Sequence, residues 1–329
     1  MAGGYTHLTL VRSALRWASN RSAMGPNPSV PERELGTVLD YWGRYTYLGG
    51  VSPDYPYLGL DADWADLMHK GQANSMIGQA LELIFRQRRE APDDQTWRQR
   101  FAWLLGFVSH VVADVTIHPV VNIKVGKYEE NKDHHRICEM NQDVWIYKQI
   151  TSLDLSFSDN MKGEIRSCGR PFDLDDNIEE LWSQCLEGTY GEKPADEQLD
   201  KWHAAFLALV DFAENSKKIP VFGRHLVSGG AAYPETVKLE YVEDLVVPGS
   251  DAVNADEQPV DRNASLNFRQ VFDKALGHIE EAWGVLANDL FADELGEQHT
   301  RVFGDWSLDT GIDNARKRLH LWPNGKGLV

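Results

Sequence analysis

The sequence predicts a compact all-α protein that surrounds bound metal ions. Apolar residues recur at helical spacing along most of the chain. The most apolar of these segments, residues 96–118, also carries His110, Asp114 and His118 at intervals of four, which places them along one helix face. Buried imidazole and carboxylate groups are costly unless something pairs with them, and a divalent cation is an efficient partner. These observations together indicate helices packed around a metal centre.

Helical periodicity predicts eight helices, and glycine or proline marks the end of several of them. Gly49 and Gly50 end the second predicted helix. Pro119 is expected to stop the fourth, because proline lacks an amide hydrogen and restricts the residue before it. The predicted helices cover residues 7–17, 32–47, 64–89, 96–118, 130–151, 174–186, 195–215 and 267–290.

The segments between these helices are predicted to be mainly loops. Residues 25–31 are rich in Gly, Pro and Asn, and residues 51–59 hold two prolines and two tyrosines. Residues 222–261 are rich in Gly, Pro, Val and Asp, which predicts a loop with a short β hairpin around residues 237–247.

The composition is that of a globular protein with an acidic surface. The 329 residues are 42% hydrophobic and 25% charged, and they carry a formal net charge of −17. This charge repels nucleic acid and anionic lipid at long range, and it leaves zwitterionic lipids and small phosphate esters as partners. Residues 1–230 are predicted to form a helical, metal-binding domain, and residues 231–329 a C-terminal extension that packs on it.

The sequence shows no evident targeting segment. The first residues, MAGGYTHLTLVRSALRW, lack the basic start, apolar run and cleavage site of a secretory signal. No run of about 18 apolar residues is present, which predicts no membrane span. Cys138, Cys168 and Cys185 fit reduced thiols better than a disulfide framework. We therefore expect a cytoplasmic protein, with signal-independent export as the open alternative.

Five segments in the front half offer residues that could bind metal. Each segment alone is ordinary, because a single histidine or a His/Glu pair four apart is usually a surface or capping feature. Their combination in a helical context is much harder to attribute to chance. His135 and Glu139 repeat the interval of four, so that two side chains can converge on one ion. The candidate ligands are His7, Asp54, His69, His110, Asp114, His118, His135 and Glu139.

The order of these segments resembles the zinc-dependent phospholipase C family. The resemblance is carried by THLTLVRSAL, GGVSPDYPYLG, the segment around His69, GFVSHVVADVTIHP and HHRICE. The pattern is also similar to the catalytic region of glycosylphosphatidylinositol phospholipase D. Fungal single-strand nucleases share the all-helical fold and a related metal cluster. The resemblance implies a helical phosphodiester hydrolase that binds two or three Zn²⁺ ions.

The resemblance also implies how the ligands divide among the ions. The implied sets are Asp54, His69, His110 and Asp114 for one zinc, His118, His135 and Glu139 for a second, and His7 with the bridging Asp114 for a third. In the secreted bacterial members an N-terminal tryptophan completes the third site, and here no tryptophan precedes His7. Water or another residue would have to complete it. Asp114 and His118 are also closer together than in those enzymes, a spacing more similar to the glycosylphosphatidylinositol enzyme.

The activity implied by the resemblance is cleavage of a glycerophospholipid to diacylglycerol and a phosphorylated head group, with transient contact at a membrane surface. Asp54 is a candidate for orienting or deprotonating the attacking water, or it is a ligand only. Phospholipase D, nuclease or small-molecule phosphatase activity stays open, although the acidic surface disfavours a nuclease. A non-catalytic, zinc-stabilised scaffold stays open as well.

Two further segments are less informative. Tyr55, Tyr57 and Trp64 lie near Asp54 in sequence and could line a cation-binding wall, or they could pack in the core. Residues 303–313 form a predicted polar turn with two aromatic residues, to which no role is assigned.

Overall fold

Helices form most of the protein, which confirms the predicted all-α class. A computed structural model describes residues 3–24, 29–59, 61–155, 159–170, 173–195, 197–215, 233–249, 260–322 and 328. The helices are α1 (Gly4–Met24), α2 (Val30–Val51), α3 (Tyr55–Leu58), α4 (Ala62–Lys70), α5 (Ala73–Glu90), α6 (Thr96–Val125), α7 (Tyr128–Thr151), α8 (Asp159–Arg166), α9 (Asp176–Tyr190), α10 (Gln198–Asn215), α11 (Phe268–Phe291) and α12 (Gln298–Val302).

The first helices lie where they are predicted, but α1 extends past both ends of the predicted range 7–17, and two other segments differ locally. Ser29 and Glu32 form a reciprocal capping box that starts α2. The predicted loop over residues 51–59 is instead a 3₁₀ turn, Ser52–Asp54, followed by the short α3. The predicted single helix over residues 64–89 is also wrong, because Gln72 adopts a left-handed backbone (φ 61°) between α4 and α5.

A distant part of the chain fills this break between α4 and α5. Asp305 Oδ1 accepts a hydrogen bond from Gln72 N at 2.5 Å, and Asn314 Nδ2 donates to Lys70 O at 2.8 Å. These bonds satisfy backbone groups that the interrupted helix leaves without partners. Residues 305–314, called the 305–314 segment below, therefore determine where α4 ends.

The prediction that Pro119 stops α6 is also wrong, because the helix continues to Val125. A proline inside a helix removes one hydrogen bond and crowds the preceding turn, so neighbouring groups must compensate. Trp322 Nε1 donates to Thr116 O at 2.8 Å, and Gly311 lies so close to Pro119 that a Cβ there would be 2.5 Å from the ring. C-terminal residues thus cover the turn that the proline perturbs.

Helix α6 runs through the middle of the protein and is buried from Arg100 to Val121. It crosses α2 with backbones almost in contact. A Cβ on Gly49 would lie 2.0 Å from Trp103 O, and a Cβ on Gly106 would lie 2.1 Å from Thr46 O. Only glycine permits this approach at either position.

Helix α6 also qualifies, by length and composition, as a helix that could cross a membrane. The sequence had indicated that no segment is long and apolar enough. The stretch concerned is completely buried inside the protein, and a core helix meets the same criterion. The finding is therefore weak evidence for a membrane span.

The C-terminal part adds one long helix and two small antiparallel strand pairs. Asn267 and Gln270 form a capping box at the start of α11, and Trp283 Nε1 donates to Leu105 O (2.9 Å) and Ser109 Oγ (3.0 Å) on α6. Helix α11 therefore packs against the central helix. The strand pairs are β1 (Leu245–Pro248) with β2 (Val260–Leu266), and β3 (Ile312–Asp313) with β4 (Arg318–Leu319).

The predicted small C-terminal hairpin is thus present, and its first strand overlaps the end of the predicted range 237–247. Leu239–Tyr241 is a 3₁₀ turn, and the first strand does not begin until Leu245. In this strand Leu245 and Val247 face the core. Most of the loop predicted over residues 222–261 lies outside the described residues. So does the predicted boundary near residue 230, and the division into two domains stays a prediction.

Candidate metal centre

The eight candidate ligands lie together beside the central helix. Each is joined to at least one other by a nitrogen–oxygen distance of 4.0 Å or less. Helix α6 supplies three of them, α7 two, and α1, α4 and the 3₁₀ turn before α3 one each. The sequence predicted these groups on four helices and one loop, and the fold brings these segments to one point.

Asp114 lies in the middle of the cluster and is completely buried. Its Oδ1 is 3.2 Å from His7 Nε2 and 3.6 Å from His118 Nε2. Its Oδ2 is 3.3 Å from His110 Nε2 and 4.0 Å from His69 Nε2. Four imidazoles from three helices therefore face the two oxygens of one carboxylate.

Asp54 lies on one side of this centre. Its Oδ1 is 3.3 Å from His69 Nε2 and 3.8 Å from His110 Nε2. The Asp54 side chain is 19% exposed, whereas both imidazoles are fully buried. This side of the cluster is therefore the one nearest to solvent.

Glu139 lies on the other side, close to His118 and to one further histidine, His135. Its Oε1 is 3.9 Å from His118 Nε2 and 3.9 Å from His135 Nδ1. His135 and Glu139 are one turn apart on α7, as their spacing predicts. His118, Glu139 and His135 thus extend the cluster from α6 to α7.

Backbone carbonyls orient four of the five imidazoles. The Nδ1 atoms of His69 and His110 lie 2.8 Å from Ala65 O and 3.0 Å from Gly50 O, and His118 Nδ1 contacts Leu308 O. A carbonyl only accepts, so these nitrogens carry the hydrogen and leave Nε2 as the basic atom. His135 is reversed, since its Nε2 donates to a backbone carbonyl and its Nδ1 faces the cluster. Imidazoles that bind metals are typically anchored in this way.

Burial and mutual charge set the ionisation of the central groups. Burial alone would raise the pKa of Asp114, but His118, His110 and His7 outweigh it and hold this pKa well below its ordinary value. Burial would likewise lower the pKa of His69, but Asp54 outweighs it and raises the pKa to about 9. Ionised carboxylates therefore lie within a buried site, where a cation stabilises them.

Burial dominates on the α7 side of the cluster. It raises the pKa of Glu139 to about 7 and lowers the pKa of His135 to about 4. Both shifts disfavour the charged forms. A bound cation would reverse the shift of Glu139 and favour the neutral imidazole of His135, which is the form that coordinates metal.

The arrangement of donor atoms fits a divalent metal. There are two sets of three donor residues, and within each set the donor atoms lie within 4.8 Å of one another. Both sets include His110, whose Nε2 is buried without a hydrogen-bond partner. Imidazole and carboxylate donors in tetrahedral sites are typical of zinc. Among the described residues no third set is as compact, so the group on the α7 side is looser. The two compact sets are His7, His110 and Asp114, and Asp54, His69 and His110.

The sequence assigned no role to residues 303–313, and the structure brings part of this segment to the metal centre. Leu308 N donates to His69 O at 2.7 Å, and Leu308 O accepts from His118 Nδ1. Asn122 Nδ2 donates to Asp309 O at 3.0 Å. Asp309 Oδ1 is buried without a hydrogen-bond partner. Only the number of polar residues in 303–313 hinted at this role.

The aromatic residues near Asp54 do not share one wall. Tyr55 is completely buried, stacks on Phe206 and lies 3.2 Å from His203 Nδ1, which is core packing. Trp64 packs against other aromatic rings away from the ligands. Tyr57 alone adjoins the centre, with its ring centroid 5.3 Å from that of His69.

The fold and the site together define a helical protein with a buried cluster of histidines and carboxylates that suits zinc. Residues 6–206, more than half of the chain, match the family model described as zinc dependent phospholipase C. The chain therefore belongs to the zinc-dependent phospholipase C family. The matched region contains all eight candidate ligands and ends before the 305–314 segment. No curated protein and no solved structure gives a significant match.

Proposed function

We propose that this protein hydrolyses a glycerophospholipid as a phospholipase C, giving diacylglycerol and a phosphorylated head group. Membership of the family supports phosphodiester chemistry. The observation that carries the proposal is the position of Asp114, whose two oxygens face four imidazoles inside a buried site.

In this proposal the protein binds three zinc ions. The sets are Asp54, His69, His110 and Asp114, then His118, His135 and Glu139, and finally His7 with Asp114. The compact donor groups support the first and third sets, and the contacts of Glu139 support the second. Zinc bound here would polarise a phosphate ester and make water a nucleophile at neutral pH.

The chain's own residues have distinct tasks in this mechanism. Asp54 is the most exposed ligand, so it is the carboxylate best placed to accept a proton at the mouth of the site. The carbonyls of Ala65 and Gly50 keep the imidazoles of His69 and His110 in one tautomer. Asp114 is completely buried, and this burial strengthens its attraction for cations.

A zwitterionic phospholipid at a membrane surface is the proposed substrate. The formal net charge of −17 supports this choice, because it disfavours anionic lipids and nucleic acids. A cytoplasmic location is part of the proposal. It is supported by Cys138, Cys168 and Cys185, which are all buried and free of disulfide bonds.

Phosphorus NMR of the zinc-loaded protein with phosphatidylcholine vesicles tests the proposal. We expect phosphocholine to appear, and a chelator to abolish it. Phosphatidic acid as the product would instead establish a phospholipase D. The absence of any product, with zinc bound, would contradict lipid hydrolysis and redirect the search to nucleotide and small phosphate esters.

A further inference from the structure

One face of α7 continues beyond the proposed metal ligands to a third acidic residue. His135, Glu139 and Asp143 follow one another at intervals of four, so they lie along the same side of the helix. Asp143 is completely buried, and its carboxylate accepts hydrogen bonds from Tyr5, Thr6 and Tyr233. It therefore points at the beginning of α1.

The Asp143 carboxylate holds the first turn of α1 by three hydrogen bonds. Its Oδ1 accepts from Thr6 N and Thr6 Oγ1, each at 2.7 Å, and its Oδ2 accepts from Tyr5 N at 3.3 Å. The first amides of a helix have no partners within the helix, and a carboxylate there is favourable to the helix dipole. Gly3 permits this approach, because a Cβ there would lie 2.3 Å from the carboxyl group.

His7 is the next residue after this anchored pair, and its ring is held differently from the other imidazoles. The side chains of His69, His110, His118 and His135 each contact a backbone carbonyl. Neither ring nitrogen of His7 has a hydrogen-bond partner. The ring stacks on His110 and points Nε2 at Asp114, so its position depends on where the backbone of α1 lies.

We propose that Asp143 is a positioning residue that fixes the first turn of α1 and thereby holds His7 in place to bind a metal ion beside Asp114. This inference rests on the metal assignment proposed above. Helix α7 would then serve two metal sites, one directly through His135 and Glu139 and one indirectly through Asp143. Loss of Asp143 would release the ion at His7 first.

The test is the zinc content of the full-length protein after dialysis against graded concentrations of chelator. We expect Asp143→Asn to retain one zinc fewer than the wild type, as His7→Ala does, with the remaining ions unchanged in their resistance to chelator. The asparagine keeps one acceptor oxygen, but its NH2 group replaces the other and cannot accept the hydrogen bonds that α1 donates at that position. Tyr233→Phe is the matched control, because it removes the 2.9 Å hydrogen bond from Tyr233 to Asp143 Oδ2 but keeps the ring that packs against Tyr5 of α1 and the three bonds that α1 donates to Asp143.

A second variant covers the case in which Asp143→Asn fails to fold. Thr6→Val keeps the backbone bonds and removes only the hydroxyl that donates to Asp143. We expect it to weaken the most easily removed zinc several-fold and to leave the others unchanged. A zinc content equal to that of the wild type in this variant, when Asp143→Asn cannot be purified, would overturn the proposal.

Other results would also overturn it. These are wild-type zinc content in Asp143→Asn, equal loss of all ions, unchanged zinc content in His7→Ala, or only two ions in the wild type. The measurement needs no substrate, so it is independent of the proposed lipid hydrolysis. A protein that shows the expected zinc pattern but no phospholipase activity would support the role of Asp143 and contradict the proposed function.

Discussion

The imidazole rings of His7 and His110 stack face to face, with centroids 3.9 Å apart and planes 8° from parallel, although they come from α1 and α6. Two imidazolium cations would repel strongly at this distance in a buried site. Burial, and then His7, lower the pKa of His110. His110 is therefore suited to the neutral form, which is the form of histidine that binds metal.

The contacts of Asp114 predict that this residue has the largest effect on metal content. We expect Asp114→Ala to lose more than one zinc, because its carboxylate faces imidazoles assigned to all three ions. Glu139→Ala should lose only one. Activity should fall by roughly 100- to 1,000-fold or more in both. Mass spectrometry of the metal content distinguishes the two variants, and equal losses would contradict the bridging role of Asp114.

Removal of zinc should destabilise the whole protein. Without zinc, the carboxylates of Asp54 and Asp114 would have only the surrounding imidazoles to pair with, at considerable cost inside the protein. Each tightly bound ion contributes about 4 kcal/mol at 1,000 times its Kd, so chelation should lower Tm by several degrees. Calorimetry measures this, and added zinc should restore Tm. An unchanged Tm would show that the cluster is not buried around metal.

Asp54→Asn separates a proton-accepting role from a structural one. The amide keeps one oxygen donor but cannot accept a proton, so we expect turnover to fall by roughly 100-fold or more with most zinc retained. His69→Ala provides the contrast, since it removes a ligand and should lose zinc along with activity. Loss of zinc from Asp54→Asn equal to that of His69→Ala would reduce Asp54 to a ligand only.

The buried carboxylate of Asp309 should assist zinc binding from a distance. Burial raises its pKa, while His69 opposes this shift. We expect Asp309→Asn to weaken zinc binding several-fold and to stabilise the zinc-free protein, because it removes a buried charge. Asp133→Asn, which removes an exposed charge near the ligands of α7, is the control. Chelator competition and thermal unfolding measure both effects, and identical behaviour of the two variants would exclude a special role for Asp309.

His203 should make the fold sensitive to acid. Burial lowers its pKa to about 4, so it stays neutral in the folded protein while the unfolded chain takes up a proton near its ordinary value. Between these values the unfolded state binds more protons, so stability falls as pH falls. Relative to His203→Gln, the wild type should lose about 3 kcal/mol between pH 7 and pH 4. Urea unfolding at several pH values measures the difference, and a constant difference would contradict the prediction.

The sequence indicated the helices and the candidate ligands because both depend on local spacing. The intervals of four in α6 and α7 fix which side chains share a helix face, whatever the helices pack against. The prediction that Pro119 ends α6 is wrong because the helix there depends on distant contacts. Trp322 and Gly311, about 200 residues away, stabilise the turn around the proline. The local sequence pattern cannot predict such contacts.

The contribution of Leu308 was hidden for a related reason. It acts on His69 and His118 through its backbone atoms alone, so its side chain gives no sign of the role. Asp143 lay outside every recognised motif, and only the packing of α7 against α1 brings it to Thr6. Side chains that touch metal have a recognisable chemistry, whereas the groups that orient them do not.

The close crossing of Gly49 and Gly106 limits how this centre could be transplanted. Gly50, beside Gly49, supplies the carbonyl that orients His110, and that carbonyl is within reach only because the two helices almost touch. A designer who copied the eight ligands onto another helical scaffold, without the paired glycines, would leave the His110 imidazole without the carbonyl that orients it. A transplanted metal centre would therefore need Gly49 and Gly106 as well as the histidines.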